Sequence, residues 1–189
     1  MMPIYTRTGD DGASRYPGGR KARKDDPRLH AVGAVDELNA HIGWCLAAAE
    51  AVPAVREALD PVQKELFVVG ATIGASLTGI DPGLTIGADA VARMERRIDA
   101  AQGALPELRN FILPRGPELT CRLHVTRTVC RRAERALVAA ANRRSADGDE
   151  APPVPPAVLV YVNRLSDLLF ALARAATAAA GQADHVWRR

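Results

Sequence analysis

Residues 119–140 read LTCRLHVTRTVCRRAERALVAA, and two patterns run through them at once. Leu119, Leu123, Thr126, Cys130, Ala133, Leu137 and Ala140 recur at spacings of three and four. That period marks one buried face of an α-helix. Arg127, Arg131 and Arg135 stand four apart and form a second row on the same helix. Glu134 falls beside Arg131 and Arg127. Charges on a surface helix usually lie opposite the core face. Here the cations border it, where water is partly excluded. Like charges so close are mutually unfavourable unless an anion or carboxylates offset them. The spacing leaves two readings open: a site for a bound anion, or a solvated basic face laced with ion pairs. The use of arginine rather than lysine favours planar, multidentate contact with phosphate.

The same apolar rhythm extends outward in both directions. Asp26-Pro27 offers a capping residue followed by proline at the first helical position. Val32, Val35, Leu38, Ile42 and Cys45 then give a first helix its stripe. A second helix follows Pro53, with Val55, Leu59, Val62, Leu66, Val69 and Ile73 inward, and is broken by LTGIDPG at 77–83. A third carries Val91, Met94 and Ile98 and ends near Gly103. The opening stretch is the fourth. A proline-rich surface loop at 143–156 precedes a fifth, with Val158, Val162, Leu165, Leu169, Leu172 and Ala176 inward. Aromatic residues make up only 4% of the chain, which favours helix-on-helix packing over an aromatic-rich sheet. No alternating strand pattern is evident. The expected fold is all-α: one domain spanning 1–189, built as an antiparallel five-helix bundle. Residues 1–25 form a polar loop, 26–180 the bundle and 181–189 a frayed tail.

Composition narrows the functional classes. A net charge of +3 is modest for a nucleic-acid binder, so none is expected. The three cysteines, Cys45, Cys121 and Cys130, form no CxxC pair, and buried thiols are the plain reading. His30, His41, His124 and His185 show no HxH or HExxH spacing, so no protein-held metal is assigned. Residues 1–16 lack the profile of a signal peptide, and no apolar stretch reaches the roughly 20 residues of a membrane span. A cytoplasmic protein without membrane contact is therefore expected.

Three further constellations carry possible chemistry. TRTGDDG, at 6–12, has the glycines and hydroxyls of a backbone nest for phosphate, with Ser14, Arg20 and Lys24 nearby. It is not a Walker A loop, and a surface turn fits the same residues. NRLSD places Asn163 inside a largely apolar helix. A buried amide needs partners, on a ligand or on a neighbouring helix. On the first helix Gly33, Asp36, Ala40, Gly43 and Ala47 make a stripe of small residues beside the apolar one. Either a second subunit or a tightly packed helix of the same chain accounts for it. A subunit contact would require a cation for Asp36, with Arg127 the natural candidate.

YTRTGDDG, the Lys24-Asp25-Asp26 step, GAVDELNAHIG, NFILPRG, LHVTRTVCRRAER and YVNRLSDLLF, in this order, resemble the PduO-type ATP:cob(I)alamin adenosyltransferases. The matching pieces run from residue 5 to about 174. The resemblance implies transfer of the 5′-deoxyadenosyl group of ATP to cob(I)alamin, a substrate, in a homotrimer with sites between subunits. It implies ATP binding by Thr6, Arg7, Thr8, Gly9, Ser14 and Lys24, with Mg²⁺ arriving on the nucleotide. It adds Arg131, Arg132, Glu134 and Arg135 on the fourth helix and Asn163 on the fifth. Asp36 and Arg127 match an intersubunit ion pair that helps bind the corrinoid. Phe111 matches the residue filling the space of the corrinoid's lower axial ligand. Arg127, Arg131, Asp36 and Phe111 are the expected catalytic group. Partners implied are a reductase and an adenosylcobalamin-dependent client enzyme. Arg15, His30 and Arg115 depart from the common pattern and receive no role. A carrier that binds the same ligands without turnover, and a purely structural oligomer, are the competing classes.

Overall fold

The computed structural model describes residues 3–5, 7–15, 21–142 and 154–188. Five helices make up most of it: α1 (Pro27–Ala48), α2 (Pro53–Thr78), α3 (Ala88–Gly103), α4 (Glu118–Ala141) and α5 (Pro156–Ala179). Two of them show the boundary chemistry of their sequence plainly. Asp26 caps α1 by accepting from the Arg28 amide at 2.8 Å, with Pro27 in the first turn. Gly79, at φ 71°, closes α2 in the left-handed conformation that favours glycine.

Helix neighbours follow from side-chain pairs. Gln63 on α2 donates to the Asn39 carbonyl of α1, and Arg28 at the start of α1 reaches the Ser76 carbonyl near the end of α2. Cys45 meets Thr126 while Glu37 meets Arg132, which sets α1 antiparallel to α4. Thr120 pairs with Thr177, and Glu134 with Asn163, so α4 and α5 are antiparallel as well. α3 lies along α5 and is tied to α2 through Glu65, which bonds Arg93 and Arg97 at 3.3 and 3.4 Å. The buried Tyr161 hydroxyl donates to the same carboxylate at 2.6 Å, joining α5 to that knot.

The core contains the expected faces of all five helices. Val32 and Val91 are the two exceptions, packed at its margin and only half-buried. Helix α5 is long and apolar enough, by length and composition, to cross a membrane, contrary to the expectation that no stretch reaches that length. Here its apolar side is spent on the bundle: Val158, Val162, Leu165 and Leu169 are fully buried.

Two expectations need correction. A short antiparallel hairpin exists, β1 (Ala13–Arg15) paired with β2 (Lys21–Arg23). Three residues per strand, each with one alanine and two polar side chains, are too few to register as an alternating pattern. The tail is not frayed. Gly181, at φ 70°, ends α5 in a Schellman arrangement, with Gln182 N–H on the Thr177 carbonyl and Gly181 N–H on that of Ala178. The chain then runs back along the α3–α4 loop. Val186 bridges Ile112, while Leu113 and Trp187 amides donate to the His185 and Phe111 carbonyls, each at 2.8 Å. Beneath this ladder the buried Arg174 donates to Asp184 at 2.7 Å and to the Pro106 carbonyl at 2.8 Å.

Candidate functional site

Helix α4 delivers its arginines to two different surroundings. Arg127 and Arg131 line a cleft of about 470 Å³ between α3, α4 and α5, together with Glu95, Asp99, Arg164 and Asp167. Arg131 bonds Glu134 at 2.8 Å, one turn along the helix. Glu134 also accepts from the Asn163 amide at 2.8 Å. That settles the partner of Asn163 within the chain: a neighbouring helix, through a carboxylate already engaged by an arginine. Arg132, one residue on, points toward α1 and pairs with Glu37 at 2.5 Å, apart from this group. Arg135 is exposed, and neither it nor Arg127 has a carboxylate partner among the described residues. The Arg127 Nε is buried with no hydrogen-bond partner. A guanidinium N–H left unmade inside a cleft costs free energy until an acceptor arrives.

Burial around the row shapes its chemistry. Cys130 is buried, donates to the Val162 carbonyl at 3.3 Å, and has its thiol pushed far up by desolvation, then by Glu134. It is an inert core residue, as expected. His124 is buried one turn before Arg127; desolvation first, and the Arg127 charge second, hold its imidazole below the ordinary value. A neutral imidazole there spares Arg127 a second adjacent cation.

The N-terminal loop forms a self-contained turn. Lys24 donates to the Gly9 carbonyl at 2.8 Å, and its own amide reaches the Gly12 carbonyl at 2.9 Å. A side chain at Gly9 would crowd the Ala13 carbonyl and the Lys24 ammonium, at 3.2 and 3.3 Å. Gly12 adopts φ 79° and Arg7 φ 58°, the latter unusual for a residue with a Cβ. Arg7 stacks over Tyr5 at 5.4 Å and is exposed like Thr8, while Ser14 is half-buried in β1. Thr6 and Arg20 lie outside the described residues. Arg7, Gly9, Ser14 and Lys24 make no hydrogen bond or ion pair with α4 or α5. Among the described residues, these four loop side chains and the arginine row are separate parts.

Asp36 and Arg127 are likewise apart. Asp36 borders a groove of about 470 Å³ between α1 and α2, with Val32, Gly33, Gly70, Ala71 and Phe67. Phe67 is 71% exposed. Most of the small stripe faces outward: Gly33, Asp36, Ala40 and Ala47 are exposed, while half-buried Gly43 packs against Gln63 of α2, so packing within the chain accounts for Gly43 but not for the others. Phe111 is 83% exposed, which excludes its service as an anchor on the core. It lines an open hollow of about 830 Å³ with Leu108, Arg109, Val186 and Trp187. Sequence reasoning missed the tail's share in this hollow, and it missed Arg164, whose Nη1 donates to the Asn163 Oδ1 at 3.1 Å. The NRLSD stretch held that arginine in plain view beside the asparagine.

Taken together, an arginine-lined cleft with an unpartnered Arg127 Nε and an exposed aromatic on a pinned loop mark a helical bundle of the ligand-binding class. A family model for cobalamin adenosyltransferase matches residues 4–176. The whole chain is 41% identical over 190 residues to a cobalamin adenosyltransferase of Cupriavidus metallidurans, covering 96% of that protein. It is 40% identical over 190 residues to a corrinoid adenosyltransferase of Mycobacterium tuberculosis, covering 94% of it. Among solved structures, a variant PduO-type ATP:corrinoid adenosyltransferase from Lactobacillus reuteri, complexed with cobalamin and ATP, matches at a TM-score of 0.86. The two are 33% identical over 99% of this chain and 100% of that one. The chain belongs to the cobalamin adenosyltransferase family, and it is an enzyme of the PduO type.

Proposed function

We infer that the chain transfers the 5′-deoxyadenosyl group of ATP to the cobalt of cob(I)alamin and releases inorganic triphosphate. The observation that carries this reading is the α4 row: Arg131 oriented by Glu134 and Asn163, with Arg127 and Arg135 lacking carboxylate partners among the described residues. Cob(I)alamin is itself a strong nucleophile, so the protein's tasks are placement and charge stabilisation. The cobalt attacks the 5′ carbon as the C–O bond to triphosphate breaks. Arg131, Arg135 and Lys24 meet the charge that gathers on the leaving oxygens. Arg132, Glu134 and Asn163 complete the nucleotide contacts, with Thr6, Arg7, Thr8, Gly9 and Ser14 of the N-terminal loop.

Because Arg7, Gly9, Ser14 and Lys24 do not bond the row within one chain, the loop of one protomer serves the row of another in this reading. The outward stripe of α1 and the exposed Phe67 supply the contact, and Asp36 pairs with Arg127 across it. A homotrimer closes such a heterologous contact. Phe111 stands below the corrinoid, where an apolar ring denies cobalt a lower ligand. A reductase supplies electrons, and a cytoplasmic client enzyme takes the product.

Among the described residues, no group of three His, Cys, Asp or Glu side chains is placed to hold a metal ion, and Glu134 is already engaged. These residues fit Mg²⁺ carried on nucleotide phosphates rather than one held by a protein cage. When bound, the ion would neutralise part of the triphosphate charge.

The test is anaerobic: follow the cob(I)alamin spectrum after ATP is added, and assay triphosphate. Loss of the cob(I)alamin bands with equimolar triphosphate is expected. Binding of both ligands without triphosphate would leave a carrier in place of an enzyme. Arg131→Ala should lower turnover by roughly 10²–10³ while the fold persists; near-normal turnover would contradict the triphosphate role.

A further inference from the structure

Arg131 is the end of a chain of directed bonds that begins on α3. Its Nη1 meets Glu134 Oε2 at 2.8 Å. The other oxygen, Oε1, accepts from Asn163 Nδ2 at 2.8 Å. Asn163 Oδ1 in turn accepts from Arg164 Nη1 at 3.1 Å. Finally, Arg164 Nε donates to Glu95 Oε1 of α3 at 3.0 Å.

An amide is a polar switch with one accepting end and one donating end. Here a cation faces the first and a carboxylate the second. Turning Asn163 over would press its oxygen against Glu134 and its NH₂ against Arg164, losing both bonds. The sense of the amide is therefore fixed from the Arg164 side. With that sense Asn163 donates to one Glu134 oxygen and leaves the other to Arg131. We propose that Arg164 and Glu95 are positioning residues for the nucleotide-gripping array: Arg164 sets the Asn163 amide, and Glu95 keeps Arg164 in place. The proposal rests on the reading of Arg131 as a triphosphate ligand.

Glu95 is suited to this task. Its helix is tied to α2 on both sides of it in sequence, because Arg93 and Arg97 share Glu65. Without Glu95, Arg164 has another carboxylate within the same cleft, Asp167, three residues along α5. A guanidinium drawn there would leave the asparagine. The Glu95–Arg164 pair is partly exposed, at 48% and 38%, so it adds little to stability. A purely structural role therefore has little to lose at this position, and a positioning role has much.

The experiment uses the full chain and the substitutions Glu95→Gln and Arg164→Lys. Glu95→Gln should raise the KM for ATP roughly tenfold, the low end of what losing a ligand-orienting partner costs in metal sites. The KM for cob(I)alamin and the melting temperature should stay at wild-type values. Arg164→Lys keeps the charge but loses the fork that spans both partners, and should behave similarly. In an Arg131→Lys background, Glu95→Gln should add little further loss, because both act on one bond chain. A readout without nucleotide separates this proposal from the assigned reaction: the side-chain amide resonances of Asn163 in the free protein should shift in Glu95→Gln. If those resonances shift but the wild type shows no ATP-dependent turnover, the bond chain stands and the assigned reaction falls. Wild-type KM for ATP in both variants, together with unmoved Asn163 resonances, overturns the proposal. Losses that multiply independently in the double variant overturn it too.

Discussion

Replacing Asp184 with alanine tests how the Phe111 loop is held. The Arg174 side chain is 7% exposed, and its guanidinium bonds the Asp184 carboxylate and the Pro106 carbonyl. Removing one partner of a buried ion pair costs about 3–5 kcal/mol, because the other charge stays buried. Asp184 keeps 17% exposure and Arg174 keeps the Pro106 bond, so the low end applies, about 3 kcal/mol. The tail has a cheaper route than global unfolding: it can lift away and let water reach Arg174. Opening should then become favoured by roughly a hundredfold, at about 1.4 kcal/mol per factor of ten. The amides that report it are Leu113 and Trp187, which donate to the His185 and Phe111 carbonyls. Their hydrogen exchange should accelerate by about that factor, while core amides of α4 and α5 keep their protection. The melting temperature should fall by less than the roughly 6–12 °C that the same loss would cost if it were global. Adenosylation should decline with corrinoid affinity, while ATP binding persists. Exchange at Leu113 and Trp187 within twofold of wild type would refute the clamp.

Three other outcomes follow from the same geometry. Phe111→Ala should melt like wild type, since the ring is already 83% exposed, yet fail to form four-coordinate cob(II)alamin; a wild-type magnetic circular dichroism spectrum would contradict its proposed place below cobalt. Asp36→Asn should weaken assembly or corrinoid binding, and unaltered sedimentation together with an unaltered corrinoid titration would exclude the pairing with Arg127. His124 is held below the ordinary 6.5 chiefly by burial, so its neutral form stabilises the fold above that pH. That share is lost as pH falls through the lowered folded value, and His124→Leu should flatten the decline in melting temperature below about pH 6.5. Parallel pH profiles for the two proteins would show that His124 contributes nothing to it.

Much of the bundle was legible because its determinants are local. Asp26-Pro27 starts α1 by chemistry confined to adjacent residues, and the α4 stripe is a period within one helix. The arginine row was legible for the same reason. Whatever depends on distant partners was not. Nothing near Arg174 announces that its carboxylate lies ten residues on, past a helix end that reverses the chain. Nothing near Glu65 shows that α3 and α5 both converge on it. The tail looked free because its polar residues carry no period, and order there comes from backbone bonds to residues 111–113. An Asn163 inside an apolar helix announces its need for a partner, but Arg164 beside it gives no such sign, since adjacent residues on a helix seldom share a face. The side chain's length overcomes that.

A structure of the protein with MgATP bound tests the central claim most directly. The Arg131 guanidinium should lie within hydrogen-bond distance of triphosphate oxygens, with its Glu134 contact retained, and the N-terminal loop of a second protomer should close over the nucleotide. Arg131 and Arg135 turned to bulk water, with ATP absent or seated elsewhere, would contradict the account.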